Sequence, residues 1–224
     1  TADAWRTLNS FMLTGSVMEG YRLGNRHIVP KITLQIKNWG NLIPLEVFGY
    51  NPGLRMARLA RNYLNVESLE RCRNYMSRRR PDKHSTHGIV FGTGRKKTPP
   101  CMVGGTFYYA PGRLHVDFFL RASEVTKTLG ADFHFFDNVI QQAVPEWMLS
   151  GKVNVRIHLS MAYCLAQWFP LIDIIMPGYP LSPWDYKFHM MCWKSLQKAR
   201  DLDYVSKWKP EKRLHGTYRK RIVK

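Results

Sequence analysis

The chain has 224 residues, 45% of them hydrophobic, and carries a formal net charge of +18 at pH 7. Its length suits one globular domain, and it shows neither a secretory leader nor an apolar run of membrane-spanning length, so we expect a soluble, cytoplasmic protein. The charge predicts an anionic partner, and composition alone does not distinguish a nucleic acid from a nucleotide, a polyanionic cofactor or a membrane surface.

Cysteine spacing limits the metal sites and disulfides that the chain could contain, and the distribution of charge indicates its domain limits. Four cysteines are spread widely, and no pair has the spacing of zinc ligands, so neither a metal centre nor a disulfide framework is expected. One domain is predicted over residues 1–200. A basic tail follows over residues 201–224, which hold eight Lys or Arg against three Asp or Glu.

Hydrophobic spacing predicts helices and strands in the first half of the chain. A short helix is expected around Ala4–Met18, and alternating apolar residues predict a strand within "HIVPKITLQIKNWG". Helical spacing follows in "LRMARLARNYL" and in "VESLERCRNYMSRRR". The positions expected to line the buried faces of these two helices are Leu54, Ala57, Ala60, Leu69, Cys72 and Met76. A loop, "PDKHSTHG", then leads to a short strand, "IVFG".

The next segment predicts a β-hairpin. Two alternating runs, Met102–Tyr109 and Leu114–Leu120, flank the turn residues Ala110-Pro111-Gly112. In the second arm, alternation places apolar residues on one face and mixed residues on the other. The first set is Leu114, Val116, Phe118 and Leu120, and the second is His115, Asp117, Phe119 and Arg121.

The chain beyond the hairpin predicts one long helix and at least one more strand. An amphipathic helix is expected over residues 132–149, ended by Ser150-Gly151. A strand is expected at the start of "KVNVRIHLSMAYCLAQWF", followed by a second strand or a short helix, and "WDYKFHMMCWKSLQKA" has helical spacing. The elements do not alternate as in a parallel βαβ array, so the predicted fold class is α+β.

Cys101 has two interpretations on local sequence. It follows Pro99 and Pro100, which make its approach rigid, and the basic residues over 95–97 would favour a thiolate, so it could be a presented nucleophile. Cysteine is also common as a small buried apolar residue at the start of a strand. The residues next to Cys101 do not decide between the two.

A longer pattern around Cys101 resembles a known enzyme family. Pro100-Cys101-Met102 opens a strand, Gly112-Arg113-Leu114 follows the turn, and Arg121-Ala122-Ser123 ends the second strand. The segment from Leu129 to His134 then precedes a helix. This order resembles the core of the thymidylate synthase and deoxycytidylate hydroxymethylase family. With "NLIPLEVFGYN" and "LERCRNYMSRRRPDKHSTHGIVFG", the resemblance covers roughly residues 40–165.

The resemblance implies a fold, an assembly and a reaction. The fold would be a thymidylate synthase-like mixed sheet packed with helices in two layers, and the protein would be a homodimer, because the family shares arginines across its dimer interface. The reaction would transfer a methyl or hydroxymethyl group from 5,10-methylenetetrahydrofolate to C5 of a pyrimidine nucleotide. A compact member of the family would suit a bacteriophage, acting in the host cytoplasm.

The resemblance also implies roles for particular residues. Cys101 would add to C6 of the base, and Glu46 would order water and proton transfers near the base. The residues implied in phosphate binding are Arg121, Ser123, Arg79, Arg80 and His87. The residues implied in base or sugar binding are His134, Asp132, His158 and Tyr163. Which base is used stays open, because a histidine at position 134 can donate or accept a hydrogen bond.

Each of these residues also has an ordinary structural interpretation. Glu46 could lie on a helix surface, and Arg121 could pair with Asp117 or Glu124. His134 could face solvent near the start of a helix. His158 and Tyr163 could simply be residues of the sheet or core.

Departures from the family pattern support a second function. Met102 stands where the family has a histidine, Leu120 where it has a glutamine, and His134 where it has an amide or a carboxylate. The chain could therefore be a nucleic-acid-binding protein that keeps the fold without the folate chemistry. Trp208 and Tyr218, interleaved with the basic tail residues, would suit contact with a phosphate backbone. A third hypothesis joins the two, with C5 modification of pyrimidines already within DNA or RNA.

Overall fold

The computed structural model describes residues 2–12, 16–18, 26–40, 42–43, 45, 50–92, 101–126 and 128–165. The described helices are α1 (Ala2–Met12), α2 (Pro52–Tyr63), α3 (Val66–Ser77), α4 (Thr128–Ala143) and α5 (Glu146–Leu149). The described strands are β1 (Ser16–Met18), β2 (Arg26–Ile36), β3 (Ser85–Val90), β4 (Met102–Ala110), β5 (Arg113–Leu120), β6 (Ser123–Glu124) and β7 (Lys152–Leu165). None of these helices is both long and apolar enough to cross a membrane.

All seven strands belong to one mixed sheet. Its order is β1-β2-β7-β5-β4-β3, and the short β6 pairs with β7 beyond the end of β5. β5 and β6 run parallel to β7, while the other neighbouring pairs are antiparallel. A parallel pair needs a crossover connection, which α4 and α5 provide between β5 and β7. This mixed sheet with its helices confirms the predicted α+β class.

The hairpin forms where the sequence predicts it. β4 and β5 pair from Ala110 opposite Arg113 at the turn to Met102 opposite Leu120 at the other end. Gly112 in the turn has a φ of 76°, a left-handed conformation that glycine adopts without steric cost. We call the end of the hairpin opposite this turn the open end.

The sheet has two different faces. One face packs against the helices, and its core includes the predicted apolar set of β5, which is buried throughout. We call the other the outer face; it carries His115, Asp117 and Phe119 of β5, which are half-buried or exposed. Phe118 lies near the centre of the core, where its ring stacks on Phe136 of α4 at a centroid distance of 4.2 Å.

Side-chain caps explain where α2 and α3 begin. The Asn51 side chain accepts a hydrogen bond from the backbone N–H of Leu54 at the start of α2, and Asn65 does the same for Ser68 at the start of α3.

The helix predicted over residues 132–149 is instead two helices, α4 and α5, which are separated at Pro145. Proline lacks an N–H and disfavours a helical residue before it, so α4 ends at Ala143.

The structure corrects other local predictions. The N-terminal helix ends at Met12, and Ser16–Met18 is a strand. β3 begins at Ser85, inside the predicted loop, and β7 is one continuous strand. In α3 the predicted face is buried, but in α2 Leu54 is 74% exposed and Leu59 is the buried residue. The predicted helix after residue 180 and the basic tail lie outside the described residues.

Candidate active site

The open end of the hairpin places Cys101 next to Arg121. Cys101 immediately precedes β4, and its carbonyl oxygen accepts a hydrogen bond of 2.7 Å from the backbone N–H of Arg121, just after β5. Cys101 is a free, half-buried thiol, and the side chain of Arg121 is exposed. The two residues that the resemblance assigns to nucleophilic attack and phosphate binding therefore lie together at one end of the sheet.

A buried polar cluster lies behind the open end, and we call Ser123, Asp132 and Arg55 the polar cluster. Ser123 Oγ donates a hydrogen bond of 3.3 Å to Oδ2 of Asp132, which lies on α4. The guanidinium Nη2 of Arg55, on α2, lies 3.6 Å from Oδ1 of the same carboxyl group. Ser123 and Asp132 are only 4% and 3% exposed, so solvent does not screen these interactions.

Asp132 is set up to titrate near neutral pH. Burial raises the pKa of Asp132 from its ordinary value of 3.8 to about 7, and the Arg55 charge and the Ser123 hydrogen bond limit the rise. Its Oδ1 atom is buried without a hydrogen-bond partner in the described part of the chain, as is Nε of Arg55. A carboxyl group with such a pKa can either give or take a proton under physiological conditions.

Two tyrosines lie around the polar cluster. The Arg55 guanidinium lies over the Tyr50 ring, with Cζ 4.5 Å from the centroid. Burial raises the pKa of Tyr63, and negative charge on Cys101 and Asp132 raises it further. Tyr63 therefore lies within electrostatic range of both the thiol and the buried carboxyl group.

Glu124 fixes the start of α4 and thereby the position of Asp132. Its carboxylate, in a residue only 6% exposed, accepts hydrogen bonds from the backbone N–H groups of Thr126 and Thr128, at 3.1 and 3.0 Å. A carboxylate at a helix N-terminus satisfies free N–H groups and complements the helix dipole. A glutamate a few residues ahead of a helical run is a signal for such a cap in the sequence, whereas the prediction made for Glu124 is only that of an ion-pair partner.

His134 contacts main chain rather than open solvent. Its Nε2–H donates a hydrogen bond of 2.6 Å to the carbonyl oxygen of Ile43, because a carbonyl can only accept. Nδ1 of a neutral His134 ring is then an acceptor. Glu46, the predicted proton-transfer residue, lies outside the described residues.

His158 and Tyr163 both lie on β7. The His158 ring stacks on Phe119 of the outer face at 4.9 Å, and its Nε2 lies 3.3 Å from Oδ1 of Asp117. Tyr163 pairs with Glu124 in the β6–β7 register, and its carbonyl accepts a hydrogen bond from Val125 N–H. His158 is therefore an outer-face residue of the sheet.

Arg79, Arg80 and His87 do not meet Cys101 within one chain. Arg79 lies over the Tyr75 ring at 3.8 Å, and Arg80 pairs with Asp82 in an exposed turn before β3. β3 starts opposite Tyr109, at the turn end of β4, roughly 25 Å along the strand from the open end. The His87 ring lies 4.9 Å from Tyr75, so it faces α3. The structure therefore does not bring these three residues together with Cys101.

The sequence interpretation missed Arg55, Tyr50 and Tyr63. No linear motif marks them, because α2 meets α4 only through the tertiary fold. In the described part of the chain, no three His, Cys, Asp or Glu side chains are grouped as they would be around a metal ion. The chain matches no protein-family model and no curated protein.

Proposed function

We propose that the chain is a thymidylate synthase-like transferase that modifies C5 of a pyrimidine nucleotide through a covalent adduct on Cys101. The observation that supports this most is the joint placement of Cys101 and Arg121 at the open end, backed by a carboxyl group that titrates near neutral pH. A nucleophile, a cation for a phosphate and a nearby proton carrier are the groups that such a reaction needs.

The residues have distinct roles in this proposal. The Cys101 Sγ thiolate adds to C6, and the electron pair of the C5–C6 double bond moves toward C5, which becomes nucleophilic. The exposed Arg121 guanidinium holds the nucleotide phosphate. Asp132 holds or releases a proton at Oδ1, the atom that lies near Arg55 but has no hydrogen-bond partner in the described part of the chain. When C5, now carrying the one-carbon unit, loses its proton to the ionised Asp132, Sγ leaves C6 as a thiolate and the C5–C6 double bond is restored.

Side chains near the open end are of the kinds that bind the pterin ring and the glutamate of 5,10-methylenetetrahydrofolate. Tyr63 offers an aromatic ring for the pterin, and the exposed Arg58 on the same helix offers a cation for a glutamate carboxylate. When bound, this cofactor supplies the one-carbon unit that C5 acquires. The product would carry either a methyl or a hydroxymethyl group on C5, and we propose that the chain acts as a homodimer.

A covalent trapping experiment tests the proposal. The full chain is mixed with 5-fluoro-dUMP, or with its cytosine analogue, together with methylenetetrahydrofolate, and the intact mass is measured. We expect a ternary adduct with the wild type and with Cys72→Ala, a control that removes a buried thiol whose pKa burial raises to about 12. Cys101→Ala should give none, and Arg121→Gln should give much less. Absence of an adduct with either nucleotide in the wild type would overturn the proposal for free nucleotides.

The net charge of +18 favours a second candidate, a nucleic-acid-binding protein that keeps the fold without folate chemistry. Salt-sensitive binding to an oligonucleotide without any adduct would support it. C5 modification within DNA or RNA is tested by tritium release from C5-labelled pyrimidine. Release from the polymer but not from the mononucleotide would identify the polymer as substrate.

A further inference from the structure

The outer face of the sheet carries an ordered set of side chains that the proposed reaction does not use. β5 and β7 are parallel neighbours, so alternate residues of the two strands lie side by side on this face. Their cross-strand pairs are Arg113 with Lys152, His115 with Asn154, Asp117 with Arg156, and Phe119 with His158. These side chains form a stripe that runs from the hairpin turn toward the open end.

The turn end of this stripe is a positively charged groove. A cavity of about 600 Å³ is lined by Lys37, Arg113, Lys152 and Arg156, and among the described residues that line it Asp117 is the one carboxylate. Arg156 pairs with Asp117 through two hydrogen bonds of 2.5 and 2.8 Å. Although partial burial acts to raise it, the pKa of Asp117 is lowered by its hydrogen bonds from Arg156 and His158, so it stays ionised.

Three cations in the groove have no such partner. Lys37, Arg113 and Lys152 are exposed, and none makes an ion pair with a described carboxylate. A second copy of the same face would bring these cations against each other and would be repelled. Charge complementarity therefore favours a polyanion as the occupant of the groove.

One exposed aromatic ring adjoins these cations, and a second lies farther along the stripe. Tyr108 lines the groove and is 43% exposed, and its ring lies 6.0 Å from that of His115. Farther along the stripe Phe119 is 39% exposed and stacks on His158 with an interplanar angle of 10°. Exposed rings beside cations are the features with which sheets bind unpaired bases and their phosphates, whereas the bases of a duplex are already stacked on each other.

We propose that the outer face binds single-stranded nucleic acid, with phosphates on Lys37, Arg113 and Lys152 and bases against Tyr108 and Phe119. The proposal uses neither Cys101 nor Arg121, and no residue of the polar cluster. Its success or failure is therefore separate from that of the proposed reaction. In particular, Cys101→Ala should bind single strands as well as the wild type does.

Fluorescence anisotropy with a labelled, mixed-sequence single-stranded oligonucleotide tests the proposal on the full chain. The variant Lys37→Gln/Arg113→Gln/Lys152→Gln should bind at least tenfold more weakly. The slope of log affinity against log salt should fall by about 2, because each phosphate contact on a single strand contributes about 0.7. The matched control, Arg61→Gln/Arg73→Gln/Arg78→Gln, removes the same charge from exposed positions on α2, on α3 and just after α3, and should change affinity less than threefold.

Variants of the two aromatic residues distinguish a site for single strands from a site that binds any polyanion. Tyr108→Ala and Phe119→Ala should each weaken single-strand binding about fivefold or more, with little effect on binding to duplex. Equal losses in the two triple variants would overturn the proposal, because overall charge or the basic tail would then explain binding. Unchanged affinity in both aromatic variants would also overturn it. The proposal would also be overturned if Lys37→Gln/Arg113→Gln/Lys152→Gln changed the oligomeric state, measured by light scattering, without changing nucleic-acid affinity.

Discussion

Ser123 and Asp132 share a hydrogen bond of 3.3 Å between a short strand and the first turns of α4, and both are almost fully buried. The only described cation in contact with this carboxyl group is Arg55, at 3.6 Å. This environment keeps Asp132 protonated at pH values well above the ordinary pKa of an aspartic acid. This relationship makes the stability of the fold sensitive to pH in a defined direction.

Asp132 should make the protein less stable as the pH rises from about 4 to about 7. In this window the folded chain retains a proton at Asp132 that the unfolded chain has lost, so raising the pH favours unfolding. The shift corresponds to at most about 4 kcal/mol across the window. Asp132→Asn cannot titrate and should lose this part of the slope when urea unfolding is followed across the window.

The control for this experiment is Asp82→Asn, which changes the same chemical group in an exposed turn. It should retain the wild-type slope between about pH 4 and pH 7. An unchanged slope in Asp132→Asn would show that Asp132 is not the titrating group.

Gly104 should not tolerate a side chain. A Cβ atom at this position would lie 2.5 Å from the carbonyl oxygen of Ile89 on the neighbouring strand. Gly104→Ala should therefore lower the free energy of unfolding by about 1–3 kcal/mol, because backbone must move to relieve the overlap. Gly104 also adjoins the register shift after Met102, so the same change should disturb the start of β4 beside Cys101.

Gly88→Ala on β3 is the matched comparison. Its Cβ would meet its nearest neighbour, the carbonyl oxygen of Gly105, at an ordinary 3.6 Å. Chemical denaturation should show a change of less than about 1 kcal/mol for this variant. Equal losses in the two variants would mean that close approach at Gly104 is not what determines the effect.

Leu59 and Leu54 test which face of α2 is buried. Leu59→Ala should cost about 2–4 kcal/mol, since Leu59 is 3% exposed and its truncation leaves a cavity in the core. Leu54→Ala should change the unfolding free energy by less than about 0.5 kcal/mol, because Leu54 is 74% exposed. Thermal and urea melts of the two variants measure this difference directly, and a larger loss for Leu54→Ala would reverse the assignment.

Local periodicity was sufficient to predict the hairpin and the buried face of α3. Alternation in β5 separates Phe118 from Phe119, and each lies on the predicted face. In α2 periodicity failed, because small and apolar residues occur on more than one side of the helix. Packing against α4 then selects Leu59.

The candidate site could be predicted only where it follows the chain closely. Cys101 and Arg121 meet because a hairpin brings its two ends together, which is a consequence of local pairing. Arg55 and Asp132 meet because two helices distant in sequence pack together, and no spacing rule encodes this contact. The raised pKa of Asp132 depends on burial by the whole core, so it too could not be inferred from neighbouring residues.

The hydrogen bond from Arg121 N–H to the Cys101 carbonyl closes the hairpin into a ring. Any force applied to the start of β4 is then transmitted to the end of β5, and the reverse also holds. A ligand that drew the Arg121 side chain toward its own charge would pull on the main chain that carries the thiol. The main chains of Cys101 and Arg121 are therefore coupled, so a ligand that binds one side chain also acts on the backbone that carries the other.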